Sequence, residues 1–257
     1  MSSPIARRLF RERCQFENPI YNYTPPFGEL RALKRAAQRF VGPFAKRAGE
    51  GKASKFAAGD FVRVRDAEAI RATLDEHDAL RGLVFTPAQW ESCGKTFRIE
   101  TVVRRMMDDV GRMRAISRTV ALENVMCDGP HGDHGCGRAC PLLFRDEWLE
   151  PSAPELAEKP VYPRYARVKP ADEILATLDR NGLRDGLMFA PEMTRYAGGR
   201  FPVYKRVTHA STTAWRRASA ETYVLAGVRC LGESLGRDGP CHRGCGLLWH
   251  KDWLEFD

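Results

Sequence analysis

The sequence predicts an α+β protein, rich in β-strand, that is built from two tandem small modules behind a basic N-terminal arm. Three observations predict this class: an internal repeat, short β-branched runs around one helix in each copy, and an uneven distribution of charge. The chain has 257 residues, of which 43% are hydrophobic and 29% charged, an ordinary globular profile. That length suits one large domain or two small ones.

The basic arm comes first in the chain. Residues 1–58 hold 12 lysines and arginines against 4 acidic residues, which equals the whole formal charge of +8, so residues 59–257 are neutral on balance. Residues 29–40 place apolar side chains at helical spacing, and the Gly-, Ser- and Lys-containing run 45–55 is typical of a flexible linker. The arm therefore predicts either attraction to an acidic macromolecule (nucleic acid or an acidic protein) or a solvated helix packed on the body.

The sequence also predicts the compartment. The first residues lack the apolar segment of a secretory signal, and no stretch approaches the roughly 18 apolar residues that a membrane helix needs. We therefore expect a cytoplasmic protein without membrane contact. In a reducing cytoplasm, its 8 cysteines indicate metal binding or chemistry in preference to disulfides.

The internal repeat is the strongest pattern in the chain. Phe61-Val-Arg-Val-Arg65 corresponds to Tyr165-Ala-Arg-Val-Lys169, and Asp75 corresponds to Asp179 at the same offset of 104 residues. We call residues 59–150 the first repeat and residues 163–257 the second repeat. The predicted division is an arm with its linker (1–58), the cysteine-rich first repeat (59–150), a proline-rich extended connector (151–162) and the cysteine-rich second repeat (163–257).

Within each repeat the predicted order is a strand, a helix, a short turn and then several strands. The first strand alternates apolar and polar residues over 61–64, and Asp66 is a suitable N-cap for the helix that follows. In the second repeat Pro170 suits the first turn of the equivalent helix. Later runs, such as 119–122 and 223–225, are rich in β-branched residues. Short strands around a single helix predict a small barrel of SH3-like character in each repeat.

The order of motifs resembles a known module. The first repeat contains Gly-Asp-Phe-Val-Arg-Val-Arg, Ala-Thr-Leu-Asp, Gly-Leu-x-Phe-x-Pro, Cys-Gly-Lys-x-Phe-Arg, Cys-Asp-Gly, Gly-Cys-x-x-x-Cys and Trp-Leu. Together these resemble a short, cysteine-rich, SH3-like module of uncharacterised bacterial proteins, here in tandem. The resemblance implies the module boundaries and no activity. The chain departs from the module where Ala197 replaces the cysteine kept as Cys93, and where Met107 and Ser211 stand in place of a further cysteine.

The cysteines carry the functional hypothesis for the first repeat. Four thiolates in one module suit tetrahedral zinc or an iron–sulfur cluster, and the sequence does not distinguish these cofactors. The four predicted ligands are Cys93, Cys127, Cys136 and Cys140. His131 and His134 are alternative ligands. Disulfides and buried free thiols are the competing interpretations.

The second repeat retains three of these positions. Its predicted ligands are Cys230, Cys241 and Cys245, because Ala197 supplies none. A fourth ligand would come from Cys14, His209, His242, His250 or an exogenous molecule. Three ligands with a vacant position are how a catalytic metal keeps room for substrate.

The sequence supports two hypotheses of function. The first is a metal-binding tandem-module protein that acts as a binding or accessory protein; the alternative is an enzyme or redox component with an open metal or iron–sulfur site in the second repeat. The sequence shows no nucleophile elbow around His209, and Asp75 and Asp179 are predicted to close turns rather than to catalyse. The predicted role of Trp148, Trp249 and Trp253 is packing, with a stacking surface as the alternative.

Overall fold

The architecture is given by a computed structural model. It describes residues 49–107, 113–127, 139–210, 216–233 and 240–257, with the backbone alone for 208–210 and 216–220. Two five-stranded sheets dominate these residues, one in each repeat, and every strand pairing within them is antiparallel. The predicted β-rich α+β class is confirmed.

The two sheets have the same order of strands. The first sheet runs β8 (Pro141–Arg145), β7 (Thr119–Met126), β4 (Thr96–Val102), β1 (Phe61–Val64), β9 (Leu149–Pro151). The second runs β15 (Gly246–His250), β14 (Arg216–Arg229), β13 (Arg200–Ala210), β10 (Tyr165–Val168), β16 (Leu254–Phe256). In both sheets the first strand of the repeat (β1 or β10) lies between the last strand (β9 or β16) and the first long strand (β4 or β13). The two repeats therefore share one topology.

Smaller elements fill the connections. They are α1 (Ala67–Arg71), the β2–β3 hairpin (Ala79–Leu80 and Leu83–Val84), the β5–β6 hairpin (Arg105–Met107 and Met113–Ala115), α2 (Ala171–Ala176) and the β11–β12 hairpin (Leu183–Arg184 and Leu187–Met188). The turn of β2–β3 holds Arg81 and Gly82 at φ of 50° and 76°, and Asp185 and Gly186 repeat this in β11–β12. Two successive positive φ values define the turn that best matches the twist of a hairpin.

Several local predictions are confirmed. Val62 and Val64 of β1 are fully buried, whereas Phe61 and Arg63 are half-exposed. Pro170 precedes α2 at its N-cap position. Asp66 occupies the N-cap position of α1, but its carboxylate makes no capping bond. That carboxylate instead accepts from the guanidinium of Arg63 at 2.6 Å.

A tryptophan and a phenylalanine pack against each other in the core of each repeat. Phe85 packs edge-on against Trp148 with ring centroids 5.0 Å apart, and Phe189 packs against Trp253 at 5.4 Å. Both indoles are completely buried, and each donates to the hydroxyl of a threonine within two residues of the end of the helix. Trp249 is buried in the second core as well. The packing role predicted for these tryptophans is confirmed, because a buried ring cannot offer a stacking surface.

The two repeats share buried surface. Met126, at the end of β7, and Ala139, before β8, belong to the hydrophobic cluster of the second repeat. In return Arg229, at the end of β14, donates to Glu100 of β4 at 2.7 Å, with the side chains only 8% and 18% exposed. Met126 and Arg229 occupy equivalent positions of the two repeats. The ends of β7 and β14 therefore each contact buried residues of the opposite repeat.

The connector and the linker both lie against the first sheet. Ser152 donates its N–H to the carbonyl of Phe61, and Glu158 donates to Thr96, both at 2.9 Å. The linker run predicted to be flexible is hydrogen-bonded at its end, where Gly51 donates to Arg104 and Lys55 to the carboxylate of Asp146. The helix predicted over 29–40 lies outside the described residues.

Candidate functional site

The cysteines predicted as ligands are paired across strand ends. Cys127 follows β7 and donates its N–H to the carbonyl of Cys140 at 2.7 Å, and Cys230 follows β14 and donates to Cys245 at 2.8 Å. The N–H of Gly232 donates to Sγ of Cys230 at 3.3 Å. These equivalent backbone bonds between Cys127 and Cys140 and between Cys230 and Cys245 join the end of β7 to the start of β8 and the end of β14 to the start of β15. They do not require a cysteine side chain.

The segment Cys241–His242 binds the other repeat. Sγ of buried Cys241 accepts from the N–H of Met107 at 3.5 Å. The N–H of His242 donates to the carbonyl of Arg105 at 2.9 Å, and its Nδ1 accepts from the N–H of Arg104 at 3.3 Å. This sulfur and this ring nitrogen therefore join the repeats.

Two further candidate ligands, His250 and Cys93, make contacts within their own repeats. Nε2 of His250 contacts Asp185 at 3.1 Å, and its Nδ1 accepts from the N–H of Asp252 at 3.1 Å. Cys93 ends the 3-10 turn Pro87–Ser92 and packs against the core of the first repeat. Burial raises the pKa of the Cys93 thiol, and the charge of Asp66 adds to this effect.

Four candidates cannot be placed, and a fifth is placed by its backbone alone. Cys14, His131, His134 and Cys136 lie outside the described residues. The backbone of His209 lies on β13 opposite Arg217.

The predicted metal-binding function is wrong for the residues that the structure describes. None of their His, Cys, Asp and Glu side chains form a group of three or more that could hold a metal ion. The physical reason is visible at His242 and His250, whose ring nitrogens already make bonds that hold the fold. The described residues form no site for zinc or an iron–sulfur cluster, and the enzyme hypothesis, which depended on an open metal site in the second repeat, loses its support.

The acidic residues considered for catalysis close turns, as predicted. Oδ1 of Asp75 accepts from the N–H groups of His77 and Ala79, and Oδ1 of Asp179 accepts from Asn181 and Leu183. These bonds lower the pKa of Asp75. A carboxylate held by two backbone donors is a poor general base.

The described residues instead form a cleft between the two repeats, with a volume of about 450 Å³. Aromatic and proline side chains make up much of its lining, and a few charged and amide groups complete it. The lining residues include Phe61, Phe97, Arg98, Glu123, Asn124, Pro154, Glu158, Lys159, Pro160, Tyr162, Pro202 and Gly227. Its volume lies in the range of ligand sites, but the cleft is open to solvent rather than enclosed.

Equivalent positions of both repeats line this cleft. Asn124 of β7 and Gly227 of β14 correspond, and both have left-handed backbone, with φ of 61° and 72°. Each lies where the strand departs from regular pairing, between Ala121 and Met126 in β7 and between Val224 and Arg229 in β14. Such bulges bend a strand and redirect its side chains. Both bends contribute to the lining of the cleft.

One wall of the cleft carries the carboxylate of Glu123. It acts electrostatically on the ion pair of Glu100 and Arg229, where burial raises the pKa of Glu100, the positive charge of Arg229 opposes this, and the charge of Glu123 adds to it. Glu123 is half-buried, and among the described residues no hydrogen bond or ion pair engages its carboxylate. Beside it the hydroxyl of Tyr162 donates to Oδ1 of Asn124 at 2.8 Å.

Two exposed apolar side chains lie on the connector, next to residues that line the cleft. Val161 is 91% exposed and Leu156 is 66% exposed, both on the connector, between and beside lining residues. Four large hydrophobic residues are exposed in the described part of the chain, and these two are the most exposed; the others are Val84 and Leu231. Adjacent exposed apolar groups beside a cleft mark an interaction site.

Sequence reasoning missed this cleft, although one signal was present. The connector contains Leu156 and Val161 among prolines and charged residues, and apolar residues in an exposed link indicate a contact. The walls, by contrast, depend on how the repeats pack.

No protein-family model matches the chain, and no curated protein is detectably similar to it in sequence. The resemblance to a cysteine-rich bacterial module stays a prediction. In the described residues, no helix has the length and apolar character needed to cross a membrane. An acidic partner for residues 1–58 also stays a prediction, since residues 1–48 lie outside the described part.

Proposed function

We propose that the protein is a binding protein that holds an extended segment of a partner polypeptide in the cleft between its repeats. One observation carries this proposal: the exposed apolar side chains of Leu156 and Val161 lie on the connector next to residues that line an apolar cleft. A partner that covers both gains the free energy of removing that apolar surface from water.

An extended segment fits this surface better than a small compact ligand. Six of the fourteen lining residues are exposed, among them Arg98, Pro154 and Pro160. Leu156 and Val161 lie on the connector next to lining residues and add exposed apolar side chains there. Proteins commonly bind extended peptides in such grooves, with apolar pockets that supply specificity.

We further propose that each sheet closes as a small SH3-like barrel. In support, the first and last strands of each repeat are paired, as in β1 with β9 and β10 with β16. A 3-10 turn also separates the last two strands in each repeat, Asp146–Trp148 and Lys251–Trp253. Two rigid barrels would hold the cleft walls at a fixed separation.

Selection from a displayed library of random peptides tests the binding function. We expect the purified full-length protein to enrich peptides whose binding falls at least about tenfold in the variant Leu156→Asp/Val161→Asp, because a carboxylate in a covered apolar contact loses its hydration. The matched control is Val84→Asp/Leu231→Asp, which alters exposed apolar residues that do not line the cleft. Failure to enrich any peptide, or equal binding by both double variants, would contradict the proposal.

A further inference from the structure

The chemistry of the cleft walls specifies the partner segment beyond its being extended. We propose that this segment is rich in proline and carries a lysine or arginine that pairs with Glu123. The inference rests on the proposed function, since it concerns the same cleft.

The apolar lining suits proline rings. Phe61, Phe97 and Tyr162 are half-buried and contribute aromatic side chains to the cleft. Pyrrolidine rings pack on aromatic faces, and a proline-rich chain is already ordered in the polyproline II conformation, so binding costs it little conformational entropy.

The hydrogen-bonding groups of the cleft match the same chain. A run of prolines lacks N–H donors and presents backbone carbonyls, so its recognition needs donors on the protein. Arg98 and Lys159 supply cationic donors at the rim. The amide of Asn124 adds an NH₂ group, because its oxygen already accepts from Tyr162.

Glu123 selects for a cation. Its carboxylate is half-buried, and a partner that covers the cleft removes more of its water. A buried carboxylate is costly unless a cation or several donors pair with it. The buried cation of Arg229 already pairs with Glu100, and no ion pair of the described residues joins Glu123. A lysine or arginine of the partner compensates the charge of Glu123 when the cleft is covered.

Fluorescence anisotropy with synthetic probes tests this assignment. The first probe is a fluorescein-labelled proline-rich peptide with one central lysine, and the second replaces that lysine with uncharged norleucine. We expect the full-length protein to bind the lysine probe about tenfold more tightly, as a charge-assisted bond in a partly dry site requires. Glu123→Gln should remove this difference, and Glu155→Gln, an exposed connector residue outside the lining, should preserve it.

A charge-reversal variant distinguishes the loss of a specific ion pair from general damage to the fold. Glu123→Lys should reject the lysine probe and bind a probe with a central glutamate, which a damaged fold could not do. Equal affinity of the wild-type protein for the lysine and norleucine probes would overturn the role of Glu123. No binding of either probe, while library peptides still bind in the Leu156- and Val161-dependent manner, would overturn the proline-rich partner and leave the proposed function intact.

Discussion

At the scale of single residues, His242 makes the stability of the contact between the repeats depend on pH. Its Nδ1 accepts a backbone N–H from Arg104, which only the neutral ring can do. Burial lowers the pKa of His242 from its ordinary 6.5, and Arg105 and Arg104 lower it further, while Glu50 acts in the opposite direction. The unfolded chain therefore binds the His242 proton more readily than the folded protein does.

This difference predicts a loss of stability in acid. A group whose pKa is lowered by folding stabilises the protein fully above its unfolded value, here near 6.5, and this contribution is lost as pH falls through the lowered pKa. We expect the Tm to fall between pH 7.5 and about 5. His242→Gln keeps an acceptor without titrating, so its Tm should decline less over that range. Parallel Tm profiles for the two proteins would contradict the assignment.

Some residue roles could be predicted from the sequence and others could not. Asp75 and Asp179 close turns through bonds to residues two and four positions later, so local sequence contains the whole interaction. Cys241 and His242 bond to residues more than 130 positions earlier. Cysteine and histidine spacing gives no information on such partners, which is why a metal site was predicted where a contact between repeats exists.

The loop after β14 shows how an element positions these contacts. Gly232 has a φ of +68°, and a Cβ at this position would lie 2.3 Å from the backbone N and O of Cys241. That distance is far inside van der Waals contact, so the glycine lets the loop approach the Cys241–His242 segment. The segment in turn bonds to β5 of the first repeat.

Gly232→Ala should therefore destabilise the protein by more than backbone strain alone would. We expect it to lower the free energy of unfolding by about 3 kcal/mol, which combines the left-handed conformation with the displacement of Cys241. Gly198→Ala is the matched control, because Gly198 has a φ of +75° and open space around its Cβ position; it should cost about 1–2 kcal/mol. Chemical denaturation measures both values. Equal losses would show that the contact with Cys241 has no energetic weight.

The order of the strands was partly predictable, and the cleft was not. Alternation over 61–64 and the repeat offset identified β1 and β10, and two equivalent sequences were expected to fold alike. The bulges at Asn124 and Gly227 have no clear signature, since asparagine and glycine also occur in ordinary turns. The cleft depends on both bulges and on the packing of one repeat against the other. Local sequence patterns therefore could not predict it.

At the scale of the whole molecule the repeats depend on each other. Met126 of the first repeat is 5% exposed within the core of the second, and Arg229 of the second is 8% exposed against Glu100 of the first. Separation of the repeats would expose an apolar side chain and leave two buried charges unpaired. Truncating a buried methionine typically costs about 2–5 kcal/mol, and breaking a buried ion pair costs a similar amount.

Cleavage of the connector should therefore leave the two repeats bound to each other. A specific protease site inserted between Lys159 and Pro160, both exposed, allows the chain to be cut at one place. We expect the two fragments to elute together in size-exclusion chromatography and to unfold in one thermal transition, because the contacts of Met126 and Arg229 do not need a continuous chain. Arg229→Ala should weaken this association in the cut protein, since it leaves Glu100 buried without its cation, while Arg167→Ala, an exposed residue of β10, should not. Fragments that separate at micromolar concentration and unfold at two temperatures would show that the repeats are independent.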